Sequence, residues 1–230
     1  TSPGDTTYYI SYNSGNDNND GKSEDKPFKN LGKVNSITFK PGDKLKFKSG
    51  VTWKGYFKLR GSGSVDKPIE IESYSSGNKP KIDGNGFQAA VFIENQEYVT
   101  ISGLELTNEA SHKNSNGSVK LMNQSNRSGE DERFGLLVLR HGSSNINGIK
   151  LNDIKISEIY PTPSNSDNNH QGYAIRFESL NDDSVLNYYD GIQVENLDIS
   201  NTGHYGIHIV NRMSGAQPDY YHRNIVIKDS

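Results

Sequence analysis

The sequence predicts an all-β protein, namely a right-handed parallel β-helix in which short strands coil and successive turns stack on one another. Two repeats predict this fold: a two-strand pattern that recurs along the chain, and a third-strand pattern that comes before its later copies. Composition agrees with it. About 35% of the residues are apolar when Gly is counted and Tyr is not, against ~45–50% in ordinary globular domains. A coil of short strands buries few apolar residues per turn and therefore suits such a chain.

The main repeat aligns without gaps in residues 98–108, 148–158 and 191–201. Each copy reads apolar-x-apolar, two polar residues, and apolar-x-apolar again, so each half alternates like a strand with one buried face. The polar pair between the halves predicts a corner. Because a fourth copy begins at Asn224 and ends with the sequence, we expect the β-helix to be truncated at its C-terminal end.

A third strand is predicted in each turn, since residues 135–139, 174–178 and 206–210 share a pattern that begins with a small residue. The same strand recurring one repeat later indicates parallel stacking, and parallel crossovers are right-handed. An antiparallel sandwich would also show short alternating strands, but it needs hairpin turns that the Asn-Gly pairs do not supply in the right places. Loops of variable length connect the strands, and such loops are where repeat proteins usually bind ligands.

One continuous domain is expected, with an N-terminal cap and first turns in residues 1–90 and regular turns with variable loops in residues 91–230. A cap is required because an open β-helix end leaves unpaired strand edges. The capping elements predicted by pattern are a short helix at residues 28–34 and strands at residues 8–11, 44–48, 56–59, 68–74 and 81–83.

Four segments of the cap carry a family resemblance: Tyr8–Ser11 with Gly15–Ser23, Pro27–Leu31, Phe39–Lys48 and Ile69–Tyr74. They resemble the N-terminal part of secreted bacterial β-helix proteins of the pectate-lyase-like superfamily, which contains polysaccharide lyases and glycoside hydrolases. The resemblance implies a secreted or cell-surface protein that acts on a polysaccharide or oligosaccharide. The motifs are specific for the fold and do not distinguish the two reactions.

Charge and hydropathy exclude other classes of partner. The net charge is −3 and no basic stripe is present, so nucleic acid is not an expected partner. No apolar run approaches the ~18 residues of a membrane span. Cysteine is absent, so disulfide bonds contribute nothing to the fold.

Candidate catalytic residues lie on the outward positions of the third strands. Stacking predicts that Arg176 lies beside His208, with Glu178 two residues along the same face and His204 in the loop leading into the strand. A carboxylate and an imidazole can transfer protons, and Arg can hold an anionic sugar. The alternative is a solvated outer face with a surface Arg–Glu pair.

Three functions remain open. A glycoside hydrolase needs two carboxylates, and the partners available to Glu178 are Asp182, Asp183, Asp190 and Asp198, although turn or strand-face roles are favoured for all four. A lyase needs a base, for which His208 or Arg176 would serve, and often calcium. Because no calcium cluster is evident on the later turns, a hydrolase without a required cofactor is slightly favoured. The third function is a non-catalytic glycan-binding or adhesion β-helix.

Aromatic residues supply candidate sugar contacts. Two Tyr pairs in successive loops, with nearby polar side chains, form the predicted substrate-binding set: Tyr188, Tyr189, Tyr220, Tyr221, His170 and Arg212. A further column of Phe134, Tyr173 and Tyr205 stands in register before the third strands. For this column an internal ladder is favoured over a sugar platform.

A possible calcium loop lies near the N-terminus, where Asn16, Asn18 and Asp20 offer oxygen ligands at alternate positions before Gly21. The twelfth position is Pro27, where a calcium loop needs Glu. The favoured interpretation is therefore an Asx turn, in which the side chains accept hydrogen bonds from nearby backbone N–H groups.

Overall fold

The computed structural model describes residues 1–110, 131–141, 146–161, 170–180, 188–212 and 222–229. Strands dominate, and one short helix lies in the cap. The elements in chain order are β1 (Thr7–Ile10), α1 (Leu31–Asn35), β2 (Lys44–Lys48), β3 (Thr52–Lys54), β4 (Phe57–Leu59), β5 (Ile69–Tyr74), β6 (Lys81–Asp83), β7 (Ala89–Glu94), β8 (Val99–Ser102), β9 (Glu105–Glu109), β10 (Asp131–His141), β11 (Ile146–Tyr160), β12 (His170–Leu180), β13 (Tyr189–Ile199), β14 (Tyr205–Arg212) and β15 (Val226–Lys228).

These strands form two sheets, and the pairs among the described residues are parallel. The first sheet, sheet A, has ten strands and includes both halves of the main repeat. The second, sheet B, has five strands in the order β14-β12-β10-β7-β4 and contains the predicted third strands. The chain is thus an all-β protein with parallel sheets, as the repeats predicted.

The predicted corners of the repeat are visible in the backbone. The second residue after the first half-strand has a positive φ in each copy: 67° at Gly103, 54° at Asp153, 53° at Asn196 and 52° at Asp229. This left-handed conformation favours Gly, Asn and Asp over other residues. The polar pair in each copy is therefore the sequence signal for a local bend, and β11 and β13 run through theirs as continuous strands.

The cap agrees with the prediction except for its helix. The predicted strands are present as β1, β2, β4, β5 and β6. The helix begins at Leu31 and not at residue 28, because Phe28 pairs with β1 in a parallel bridge. The Phe28 N–H donates a hydrogen bond to the Tyr9 carbonyl at 2.9 Å, so Phe28 has extended backbone and lies outside the helix.

The two sheets differ in what covers their outer faces. Their inner faces share the main apolar core, to which Phe47 of sheet A and Val138 of sheet B both belong. The outer face of sheet A carries cross-strand Lys–Glu pairs such as Lys44–Glu70, at 3.0 Å and with both side chains partly exposed. The outer face of sheet B instead carries a second buried apolar cluster, which includes Phe92. No helix among the described residues is long and apolar enough to cross a membrane.

Candidate functional site

The predicted register of the third strands is confirmed. Arg176 of β12 pairs with His208 of β14 and with Leu137 of β10. Glu178 pairs with Leu139 and Val210 in the next outward column. Sheet B therefore brings Arg176, Glu178 and His208 together on the face that points away from the main core.

The alternative of a solvated outer face is wrong for two of these residues. Arg176 is 1% exposed and Glu178 is 0% exposed. The Arg176 Nη1 atom lies 2.6 Å from Oε1 of Glu132, and its Nε atom lies 3.1 Å from Oε2 of Glu178. We call Glu132, Arg176 and Glu178 the Arg176 cluster. In it, one buried guanidinium lies between two buried carboxylates.

Burial of these charges follows a general rule, since an ionised group leaves water only where an opposite charge or hydrogen bonds compensate it. Arg133 and Arg140 are also buried on β10, at 2% and 0% exposed. Burial lowers the pKa of Arg140 to about 10. Glu132 was missed by the sequence reasoning because it precedes the third-strand pattern, which begins at Gly135, and no periodicity marks it.

The aromatic column stacks as predicted. The ring centroids of Phe134 and Tyr173 lie 5.4 Å apart, and those of Tyr173 and Tyr205 lie 5.8 Å apart, both in stacked geometry. Phe134 and Tyr173 nevertheless belong to the outer cluster and not to the main core. The Arg176 guanidinium lies 4.7 Å from the centroid of the Tyr173 ring, so a cation–π contact joins the column to the Arg176 cluster.

The accessible edge of the site is on β14. Tyr205 is 47% exposed, and the neighbouring His204 ring, also exposed, lies 4.0 Å from it. The half-buried His208 ring stacks on Tyr173 at 5.4 Å with an interplanar angle of 11°. The site thus combines a buried, charged floor with an exposed His–Tyr edge. Imidazole and phenol groups there can donate and accept hydrogen bonds or move a proton.

Tyr189 is not the exposed loop residue that the sequence predicted. It begins β13 and is 0% exposed. Its hydroxyl lies 2.6 Å from the carbonyl oxygen of Glu178 and 2.8 Å from that of Val138, and burial raises its pKa well above the usual value. A sugar platform is excluded for this ring. Its apolar neighbours fix it in the core, and Phe177 packs edge-on against it at 5.7 Å.

Tyr188 directly precedes β13 and is half-buried, with the Arg223 guanidinium 4.7 Å from its ring centroid. Tyr220 and Tyr221 lie outside the described residues. His170 begins β12, and not a loop, while Arg212 ends β14. The side chains of these two residues are likewise outside the described part.

The two alternative carboxylates that the structure describes, those of Asp198 and Asp190, do not lie beside Glu178. Asp198 lies on sheet A and is exposed, as expected for a strand face. Asp190 accepts a 2.6 Å hydrogen bond from Asn224. Asp182 and Asp183 lie outside the described residues.

The oxygen-rich N-terminal loop forms the predicted Asx turns. The Asn18 N–H donates to Oδ1 of Asn16 at 2.9 Å, and the Lys22 N–H donates to Oδ1 of Asp20 at 3.0 Å. Within the described ranges, no three acidic, His or Cys side chains are grouped as a metal site would require. Calcium binding stays the less favoured alternative for this loop.

A second charged group, missed by the sequence reasoning, lies at the C-terminal ends of β4, β7 and β10. Oε2 of Glu94 lies 2.8 Å from the Lys58 ammonium, and its Oε1 lies 2.9 Å from Nε2 of the exposed His141. Burial acts to raise the pKa of Glu94, but the hydrogen bonds from Lys58 and His141 outweigh it and hold the pKa below its ordinary value. The strand register could have predicted this group, because Glu94 pairs with Leu139 and His141 follows two residues later in β10.

Comparison with solved structures shows which fold this arrangement belongs to. Two crystal structures of the GH136 lacto-N-biosidase from Eubacterium ramulus, of the selenomethionine derivative and the native protein, match with TM-scores of 0.76 and 0.74. In both, the identity is 24% over 96% of this chain and 40% of that one. The chain therefore shares its fold with part of those structures.

Among curated proteins, the lacto-N-biosidase of Bifidobacterium longum subsp. longum is 31% identical over 137 residues. The match spans 47% of this chain and 9% of that protein's length. No family model matches the chain. The two lacto-N-biosidases that match this chain here are carbohydrate-active enzymes.

Proposed function

We propose that the chain is part of a glycoside hydrolase that cleaves a glycosidic bond in a glycan. The observation that carries the proposal is the 31% identity over 137 residues with a lacto-N-biosidase. The shared fold with a second lacto-N-biosidase, over 96% of this chain, supports it. Lacto-N-biose-containing glycans are accordingly the first substrates to examine.

Roles within the site follow from burial. Glu178 and Glu132 are too buried to meet a substrate in this conformation, so we assign the Arg176 cluster a positioning role behind Tyr173 and His208. His204 and Tyr205 are exposed and would contact the sugar. His208 lies between the two groups and is the residue we assign to proton transfer.

The handedness of the fold, its superfamily, the location of the protein and its metal requirement are also proposals. Parallel register between successive repeats and the recurring positive-φ corners support a right-handed β-helix of the pectate-lyase-like superfamily. A secreted or cell-surface location, and catalysis without a required metal, complete this proposal. Calcium addition and chelation during the assay would test the last point.

Cleavage by the 230-residue chain is the decisive test. We would incubate it with an aryl lacto-N-bioside and a panel of neutral and uronate-containing glycans, and measure released sugar. We expect release from at least one glycan, and a loss of about 100-fold or more in His208→Ala. The matched control is His141→Ala, because His141 contacts Glu94 and not the Arg176 cluster. Products that absorb near the ultraviolet edge would indicate a lyase, and absence of release from the whole panel would show that this chain does not cleave glycans by itself.

A non-catalytic glycan-binding protein is the second candidate, favoured by the burial of both carboxylates in the Arg176 cluster. In that case glycans would bind without being cleaved, and Tyr205→Ala would weaken binding. Isothermal titration of the unmodified chain with the same panel separates the two functions.

A further inference from the structure

An aromatic cavity lies in the N-terminal cap, apart from the site on sheet B. Its volume is about 220 Å³, and its aromatic lining consists of Tyr12, Trp53, Tyr56 and Phe87. The cavity lies beside β3 and the start of β4, and β4 is the strand of sheet B farthest from β14. Three strand spacings separate β4 from the Arg176 side chain on β12, a distance of about 14 Å.

Two glycines border the cavity. A Cβ atom added at Gly32 or Gly55 would meet no heavy atom within 4 Å. Both glycines line the cavity. Gly55 also has a φ of +123°, which side-chain-bearing residues rarely adopt. The two positions therefore have open space around them at the border of the cavity.

The walls are held in place by contacts that do not depend on a ligand. The Trp53 indole N–H donates to the carbonyl of Lys29 at 2.9 Å. The rings of Tyr56 and Phe87 pack edge to face at 5.0 Å. Asn35 donates to the Tyr56 carbonyl and accepts from the Lys58 N–H, at 3.0 and 2.8 Å. A preformed site loses little conformational freedom on binding.

Polar groups at the same cavity can recognise hydroxyls. Asn30 and Lys54 both line it. Lys54 is exposed and makes no ion pair with any residue in the part of the chain that the structure describes. Its ammonium offers three hydrogen-bond donors, and the neighbouring carboxylate in the strand register is Asp83 of β6.

We propose that this cavity binds a single pyranose ring of a glycan. Aromatic faces pack against the apolar face of a sugar ring, while Asn and Lys side chains meet its hydroxyl groups. The volume is below the ~300–1,000 Å³ of sites for drug-sized ligands, which suits one ring and not a chain of several. Such a site goes beyond the proposed cleavage function, since it would hold a glycan away from the Arg176 cluster.

Trp53 provides the test, because it is the only Trp in the chain and lines the cavity. We would titrate the unmodified chain with methyl glycosides of galactose, glucose, N-acetylglucosamine and glucuronic acid, and follow Trp emission. We expect a saturable change with at least one glycoside. Tyr56→Ala should weaken that binding by about 2–10-fold through loss of a ring contact. Its matched control is Tyr160→Ala, at the far end of β11, which should leave binding unchanged.

A second pair of variants tests the cavity without removing a wall. Gly32→Leu would place a side chain in the open space and should abolish the emission change, whereas Gly32→Ala should retain it.

Lys54→Ala tests the contact made by the ammonium group. It should weaken glucuronide binding more than neutral glycoside binding if the ammonium contacts a carboxylate, and should weaken both equally if the ammonium contacts hydroxyls.

Either of two results would overturn the site: no saturable emission change with any glycoside well above millimolar concentration, or equal affinities in Gly32→Leu, Tyr56→Ala and the unmodified chain. Circular dichroism of each variant shows that the fold is retained. Because the readout is binding at Trp53, its failure is distinguishable from failure of the cleavage assay.

Discussion

The guanidinium of Arg176 lies 2.6 Å from the carboxylate of Glu132, a residue 44 positions earlier in the chain. Glu132 does not stand opposite Arg176 in the strand register, where Leu137 is the partner, but pairs with Gln171. The contact therefore runs along the sheet face and not straight across the strands. Arg176 and Glu178 thus belong to a buried three-residue cluster behind the aromatic column, and not to the surface ion pair that the sequence left as an alternative.

Arg176→Met should lower the free energy of unfolding by about 3–5 kcal/mol, because two buried carboxylates would lose their common counter-charge. Urea unfolding measures this change. Lys44→Met is the control, since it breaks the partly exposed Lys44–Glu70 pair and should cost about 1 kcal/mol or less. Equal losses in the two variants would contradict the buried-cluster interpretation.

Gly135→Ala should destabilise the protein by about 1–3 kcal/mol. An added Cβ would lie 2.7 Å from both the Ala174 carbonyl oxygen and the Ile156 Cγ2 atom. Gly206 occupies the same repeat position, but its nearest contact would be 3.6 Å, so Gly206→Ala should be close to neutral. Thermal unfolding of both variants checks the difference, and an equal shift in melting temperature would show that the close approach at Gly135 relaxes freely.

Tyr189→Phe should cost about 1 kcal/mol, because the buried carbonyl oxygens of Glu178 and Val138 would lose their hydroxyl donor. Tyr205→Phe should change stability by less than about 0.5 kcal/mol, since Tyr205 is 47% exposed. Denaturant unfolding of the two variants measures both. A larger loss in Tyr205→Phe would mean that the exposed ring carries the more important hydrogen bond.

Glu94 should make stability depend on pH in acid. Burial acts to raise its pKa, but the hydrogen bonds from Lys58 and His141 hold the folded-state pKa below the ordinary 4.5. The stabilisation is therefore complete above pH 4.5 and is lost as the pH falls through the lower, folded-state value. We expect the difference in urea midpoint between the unmodified chain and Glu94→Gln to shrink across this range. A difference that stays constant with pH would show that the carboxylate charge contributes nothing.

The repeats by themselves determine much of the architecture. Alternation of apolar residues in 98–108, 148–158 and 191–201 predicts the strands, and the polar pairs at Asp153 and Asn196 predict the corners. Register follows from the same patterns, so the Arg176–His208 pairing and the stacked aromatic column are predictable. These features are local or periodic, because side chains alternate between the two faces of a strand and the same alternation sets the register of the next strand.

What covers the outer face of sheet B is decided only by tertiary structure. Alternation shows which side chains leave the main core, but not whether they then meet water or protein. Arg176 and Glu178 occupy outward positions that periodicity leaves open to solvent, yet both are buried, while Tyr189, expected in a loop, is part of the core. Glu132 joins the buried charges from outside the repeat. The physical reason is that burial of a charge depends on partners distant in sequence, which periodicity does not encode.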